Sequence, residues 1–90
     1  MNARDLFKEC ATILEERGKQ YGEAKDLYEV TAKMIGAQLG IEVTPWEACL
    51  VLANIKLGRI ANGDTQKDTY LDVINYIALA WEVRQKSIPP

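Results

Sequence analysis

Two helical segments of this sequence carry almost no polar face, and this feature constrains the fold most. A helix that is apolar on most sides is buried on most sides. We therefore expect residues 45–61 and 67–86 to form the centre of the domain. Their apolar residues are Trp46, Cys49, Leu50, Leu52, Ala53, Ile55, Leu57 and Ile60 in the first segment, and Leu71, Val73, Ile74, Ile77, Ala78, Leu79, Ala80, Trp81 and Val83 in the second.

The start of the third helix is the clearest local signal in the chain. Thr44 stands at the N-cap position, Pro45 at the first helical position, and Glu47 three residues after the cap. This arrangement is a capping box with proline at N1. Asn62 and Gly63 then predict the end of the helix.

Two amphipathic helices precede this pair. Gly18 predicts the end of the first helix, before a polar turn over residues 19–22, and Gly40 predicts the end of the second at the C′ position. The short connections favour antiparallel neighbours. The sequence predicts an all-α, four-helix bundle-like single domain over residues 1–90, with helices at about 3–17, 24–39, 45–61 and 67–86.

Size and composition predict self-association. A domain of 90 residues, 48% of them apolar, covers its apolar surface incompletely, since a chain this short buries only about 60–70% of the surface of its unfolded form. We expect a homo-oligomer, at least a dimer.

Charge and cysteine content narrow the class of protein. A net charge of −2 argues against extended nucleic-acid binding, which needs a dense basic stripe. No apolar run approaches a membrane span, and the charged N-terminus does not resemble a signal peptide.

Cys10 and Cys49 fall on apolar faces, as expected for buried, reduced thiols in the cytoplasm. The chain has no histidine, so a metal would be a hard ion bound by oxygen.

A few charged residues interrupt the two apolar helices. Lys56 and Arg59 lie three apart and share a face, and so do Asp68, Asp72 and Asn75. Because the connection over residues 61–67 is short, the two helices should form a hairpin. Its end would place the cationic pair beside the carboxylate pair.

Two interpretations of these charges stay open. In the first, Asp72 forms a salt bridge with Lys56 or Arg59, while Asp68 complements the helix dipole. In the second, Asp68 and Asp72 hold Mg²⁺, and Lys56 and Arg59 bind the phosphates of a nucleotide. Asn75 is a further candidate contact for that nucleotide.

Lys19 and Tyr21 form a second candidate site. In the glycine-bracketed turn, the tyrosine either caps the core or, with Lys19, reaches a ligand and stacks on its base.

Four blocks of the sequence resemble a known family. In order, they are ERGKQYG (16–22), LGIEVTP (39–45), KLGRI (56–60) and DTYLDVINY (68–76). Together they resemble a family of small phage and prophage proteins of unassigned function. They are also similar to the nucleotide-modification-associated domain and, more distantly, to the MazG-like all-α nucleoside triphosphate pyrophosphohydrolases. The resemblance covers roughly residues 11–83.

The resemblance implies an oligomeric helical fold with a nucleotide pocket between helices. In the MazG-like enzymes, a glutamate-rich motif and a later acidic pair bind Mg²⁺. The later pair carries over to Asp68 and Asp72, with a spacing one residue longer. The earlier motif is missing, because the third helix has Glu47 and then no carboxylate over residues 48–53.

Three functions remain open from the sequence. The first is a phage-type nucleotide-binding protein of MazG-like fold, with Mg²⁺-dependent pyrophosphohydrolysis as its enzymatic form. The second is a non-catalytic protein that sequesters a nucleotide as an anti-defence factor. The third is a helical protein-interaction module. In each case the phage resemblance implies action in the cytoplasm of the bacterial host.

Overall fold

The computed structural model describes residues 1–87 and confirms the all-α, four-helix bundle-like fold. The helices are α1 (Ala3–Tyr21), α2 (Ala24–Leu39), α3 (Pro45–Ala61) and α4 (Lys67–Lys86). Residues 88–90 of the predicted domain lie outside the described residues. Within residues 1–87, no helix is both long enough and apolar enough to cross a membrane.

The predicted end of the first helix was wrong. Gly18 lies inside α1, which continues to Tyr21 and ends at Gly22 with a φ of 79°. The Gly22 N–H donates to the Gly18 carbonyl oxygen at 2.9 Å. Glycine within a helix costs about 0.5–1 kcal/mol relative to alanine but does not by itself end the helix. Of the polar turn predicted over residues 19–22, the first three residues therefore belong to the last turn of α1 and Gly22 is its C-cap.

The capping box of α3 is confirmed. The Glu47 N–H donates to Thr44 Oγ1 at 3.3 Å, and the Thr44 N–H donates to Glu47 Oε1 at 3.0 Å. The carboxylate also accepts a hydrogen bond from the threonine hydroxyl at 2.7 Å. These bonds satisfy amides that a helix start leaves without partners. The two bonds that the carboxylate accepts, from the Thr44 hydroxyl and then from the Thr44 N–H, lower the pKa of Glu47.

Gly40 ends α2 in the left-handed conformation, with a φ of 70°, and Gly36 allows the chain to turn back closely. A Cβ at position 36 would lie 2.6 Å from the backbone oxygen of Ile41. Only glycine permits this close approach.

The core lies between α3 and α4, as the apolar pattern predicted, but the expected burial on most sides is not observed, since Ile55, Ile77 and Trp81 are 54%, 47% and 68% exposed. Early α3 packs on late α4, with Cys49 and Val83 fully buried in one cluster. Late α3 meets early α4, where Lys56 contacts Asp72. The two helices are therefore antiparallel. Tyr28 of α2 completes the apolar cluster, while α1 buries only Cys10.

Candidate functional site

An ion pair joins the two inner helices. Lys56 Nζ lies 3.1 Å from Asp72 Oδ2, and both side chains are about four-fifths buried. The salt bridge predicted for this hairpin is therefore confirmed. Arg59, the other predicted cation, is exposed on the last turn of α3.

Asp72 has a second cationic partner that the sequence did not predict. Arg17 of α1 places Nη2 at 3.6 Å from Asp72 Oδ1. The guanidinium side chain is half exposed, whereas that of Asp72 is mostly buried. No local spacing rule relates positions 17 and 72, because this pair depends on how α1 packs against α4.

Asp64 is a further carboxylate that the sequence analysis missed. Its Oδ1 accepts from the Gln66 N–H at 2.8 Å, and its Oδ2 accepts from the hydroxyl of buried Thr69 at 2.7 Å. The pKa of Asp64 is lowered by the hydrogen bond from the Gln66 N–H, then by that from the Thr69 hydroxyl. The nearby charges of Arg59 and Lys56 lower it further. Its position before a helix, with an acceptor for the amide two residues on, is typical of an Asx-turn. That pattern could have identified it.

The predicted magnesium ligands differ in their surroundings. Asp68 is exposed on the first turn of α4, whereas Asp72 has a cation on each oxygen. This donor set does not fit Mg²⁺, because a dication at Asp72 would stand beside Lys56 and Arg17. Within residues 1–87, no group of three or more aspartate, glutamate, cysteine or histidine side chains could hold a metal ion.

Asn75 lies in the core. Only 1% of its surface is exposed, and within residues 1–87 neither polar atom of its amide has a hydrogen-bond partner. The predicted contact between Asn75 and a nucleotide would therefore require the helices to separate.

Lys19 and Tyr21 line a cleft of about 810 Å³. We define the cleft by its walls: the last two turns of α1, the start of α2, and the C-terminal half of α4. Tyr28 and Tyr76 form its apolar floor with Leu79. This volume falls within the usual range for small-molecule sites, about 300–1,000 Å³.

Three cations line the cleft, and they differ in their partners. Lys19 Nζ lies 3.7 Å from Glu15, and Lys86 Nζ lies 3.0 Å from Glu23. All of these residues line the cleft. Arg17 also lines it, but its ion pair is with Asp72, which does not belong to the lining. Arg17 is thus the lining cation whose partner lies outside the cleft.

The cleft floor is a low-polarity environment. Burial raises the pKa of Tyr28 to about 12, and the Arg17 guanidinium opposes that rise. Arg17 therefore lies near Tyr28 of the floor as well as near Asp72.

Both cysteines are free and buried, as predicted. Burial raises the pKa of Cys49 to about 11 and also raises that of Cys10. These thiols are mainly protonated near neutral pH, so they have structural rather than nucleophilic character.

The structure therefore separates the predicted site residues. Lys56 and Asp72 meet in the hairpin, with Arg59 nearby on the surface. Lys19 and Tyr21 line the cleft, Asn75 is in the core, and Asp68 is on an exposed turn. We call Lys56, Arg59, Asp64 and Asp72 the hairpin cluster.

Comparison with known proteins gives a family match over most of the chain. A model described as "Domain of unknown function (DUF6378)" matches residues 6–84. The chain is 31% identical over 62 residues to the Gene 55 protein of Mycobacterium phage L5. The alignment covers 68% of this chain and 40% of that protein, so the chain spans about two fifths of the relative's length. No solved structure matches the chain.

Proposed function

The chain belongs to the DUF6378 family of domains of unknown function, and from that premise we propose that it is a phage-type protein that binds a nucleotide in the cleft. The family membership agrees with the predicted phage family of unassigned function. The nucleotide ligand and the MazG-like relationship are proposals. No observation favours hydrolysis, so we propose binding alone.

The observation that carries this proposal is Arg17 at the cleft wall. Its loose 3.6 Å contact with Asp72 leaves most of the guanidinium donors free. Arginine presents five N–H groups in a planar fork that suits phosphate oxygens. A phosphate in the cleft would therefore meet a cation that no lining glutamate neutralises. Lys19 would add a second positive charge on leaving its ion pair with Glu15 and binding the phosphate instead.

The tyrosines suit the other part of a nucleotide. Tyr21 is 59% exposed and lines the cleft from the end of α1, whereas Tyr28 and Tyr76 are more buried. An exposed aromatic ring offers a stacking surface to a base, worth about 1–3 kcal/mol. Tyrosine at the rim and arginine at the wall together match a ligand with a flat ring and an anionic group.

The start of α2 supports an anionic group at this rim. Gly22, Glu23 and Ala24 line the cleft, and the N-cap residue Glu23 makes no side-chain capping hydrogen bond. The first amides of α2 thus lack a side-chain acceptor of the kind that Thr44 supplies to α3, and the Asp26 N–H donates instead to the Glu23 carbonyl oxygen at 3.2 Å. Helix N-termini attract anions through such amides and through the helix dipole.

Self-association is part of the proposal. The chain exposes 6464 Å², whereas a folded monomer of 10.1 kDa is expected to expose about 5,300 Å². Large apolar side chains contribute to the excess, among them Trp81 and Met34, each 68% exposed. This excess, about 1,160 Å², is larger than the share of one subunit in a standard interface, about 800 Å². A homo-oligomer in the host cytoplasm would cover it, and the two free cysteines suit that reducing compartment.

Calorimetric titration of the full chain tests the proposal. Each nucleoside and its mono-, di- and triphosphates are titrated with and without Mg²⁺, and the oligomeric state is measured by light scattering. We expect at least one nucleotide to bind, and the Tyr21→Ala variant to weaken binding about 5- to 100-fold. Tyr70→Ala is the matched control, since Tyr70 is a partly exposed tyrosine outside the cleft lining.

The outcomes separate the alternatives. Equal losses in the two tyrosine variants would show that the cleft is not the site. If no nucleotide binds the folded wild-type chain, the proposal fails, and of the three functions only the interaction module is left. Pyrophosphate release from a bound triphosphate would show that binding alone is an incomplete description.

A further inference from the structure

We propose that Asp72 is a positioning residue for Arg17: its carboxylate holds the guanidinium at the cleft wall, and Lys56 holds the carboxylate in turn. This inference rests on the proposed function, because it assigns Arg17 to the phosphate of the ligand. It gives Asp72 a role other than that of a magnesium ligand.

The two carboxylate oxygens of Asp72 contact different cations. Oδ2 lies 3.1 Å from Lys56 Nζ inside the hairpin, and Oδ1 lies 3.6 Å from Arg17 Nη2 on the side of α1. The Lys56 and Asp72 side chains are only 21% and 19% exposed, whereas that of Arg17 is 48% exposed. The buried pair is therefore the fixed part of the chain of contacts, and Arg17 is its solvent-exposed end.

An anchored arginine binds an anion more tightly than a free one. Arginine has many rotamers, and ordering it upon binding has an entropic cost. A partner that restricts the side chain beforehand reduces that cost. At 3.6 Å the ion pair restricts the guanidinium without occupying its fork, so the remaining donors stay free for a phosphate.

Two other roles for Asp72 make different predictions: it could compete with the phosphate for Arg17, or it could be a ligand of Mg²⁺. A competitor would hold Arg17 away from the phosphate, so its removal would tighten binding. A metal ligand would work with Asp68, one turn earlier on α4, and its removal would matter only when Mg²⁺ is present. Each alternative therefore predicts a different sign or a different metal dependence.

The test uses the full chain and the nucleotide found to bind best, together with its nucleoside. Asp72→Asn keeps the size of the side chain and removes its charge, and Asp68→Asn makes the same change on an exposed turn. We expect Asp72→Asn to weaken nucleotide binding about 3- to 10-fold, without Mg²⁺ as well as with it. Nucleoside binding should stay unchanged, and so should both affinities in Asp68→Asn.

A double-mutant cycle shows whether Asp72 acts through Arg17. In an Arg17→Ala background, Asp72→Asn should cause no further loss of nucleotide affinity. A purely structural role would lower the affinities for nucleoside and nucleotide alike. If Asp72→Asn is too unstable to purify, Asp72→Glu serves instead: it keeps the charge, moves it by one methylene group, and should affect the nucleotide selectively.

The results that would overturn the inference are distinct from failure of the proposed function. Tighter nucleotide binding in Asp72→Asn would identify a competitor. Equal losses in the Asp68 and Asp72 variants that appear only with Mg²⁺ would identify a shared metal site. An unchanged nucleotide affinity in Asp72→Asn would show that Asp72 does not position Arg17. In each of these cases the wild-type chain still binds its nucleotide, whereas failure of the proposed function means that it binds none.

Discussion

The cleft and the hairpin cluster contain the same kinds of charge, but they use them differently. In the hairpin cluster, both oxygens of Asp72 face cations and both oxygens of Asp64 accept hydrogen bonds. In the cleft, Arg17 keeps most of its donors free and Tyr21 exposes its ring. A cluster of charges therefore indicates a binding site only where the fold does not already use its hydrogen-bonding capacity.

Arginine substitutions test this contrast with the largest expected effect. Arg17→Ala should weaken nucleotide binding about 10- to 150-fold, since hydrogen bonds to charged groups contribute about 1.5–3 kcal/mol. Calorimetric titration measures the loss. The matched control is Arg59→Ala, which removes an exposed arginine of the hairpin cluster outside the cleft lining. A comparable loss in that control would move the phosphate site to the hairpin.

Asp64→Asn should affect the hairpin cluster alone. The variant loses the charge that accepts from Gln66 and Thr69, so we expect the Tm to fall by roughly 5 °C. Nucleotide affinity should stay within error of wild type. Thermal unfolding followed by circular dichroism gives the first quantity and calorimetric titration the second. A loss of nucleotide affinity with an unchanged Tm would show that Asp64 contributes to binding and not to stability, which is the reverse of this prediction.

The pH dependence of stability sharpens the same assignment. The folded pKa of Asp64 is lowered by its hydrogen bonds with Gln66 and Thr69, so its contribution to stability is present above the unfolded pKa, about 3.9. That contribution is lost as the pH falls through the folded value. The Tm difference between wild type and Asp64→Asn should be largest at pH 6 and should shrink towards pH 2. A constant difference over this range would mean that ionisation of Asp64 is not the cause.

The smallest expected effect concerns Gly18 of α1. A Cβ there meets no atom within 4 Å, and alanine favours an exposed helix interior over glycine by about 0.5–1 kcal/mol. Gly18→Ala should therefore raise the Tm by a few degrees, measured by thermal unfolding. Gly22→Ala is the contrasting variant and should lower it, because Gly22 has a φ of 79°. A decrease in both variants would show that the wall of the cleft needs glycine at position 18.

The helices could be predicted where capping chemistry marks their ends. Thr44 and Glu47 identify the start of α3 because their side chains bond the backbone locally. Gly40 identifies the end of α2 because the chain there takes a positive φ. Gly18 misled the prediction of α1, since glycine permits a helix end but does not require one. The real end came four residues later, at a second glycine.

The site could be predicted only in part, for a related reason. Helical spacing on two adjacent segments brought Lys56 to Asp72, because a short hairpin leaves little freedom. Arg17 reaches the same carboxylate from a helix far away in the sequence, and no local pattern encodes that approach. The cleft itself arises from the way α1 and α2 lie on α4, which depends on tertiary packing.

The hydrogen bonds of Asp64 have a consequence for how this family can vary in length. Its N–H donates to the Arg59 carbonyl oxygen at 3.0 Å, while its carboxylate accepts from Gln66 and Thr69. Asp64 thus forms hydrogen bonds with both the end of α3 and the start of α4. An inserted residue would break these hydrogen bonds and shift Lys56 relative to Asp72. We expect insertions and deletions among relatives to avoid residues 62–66.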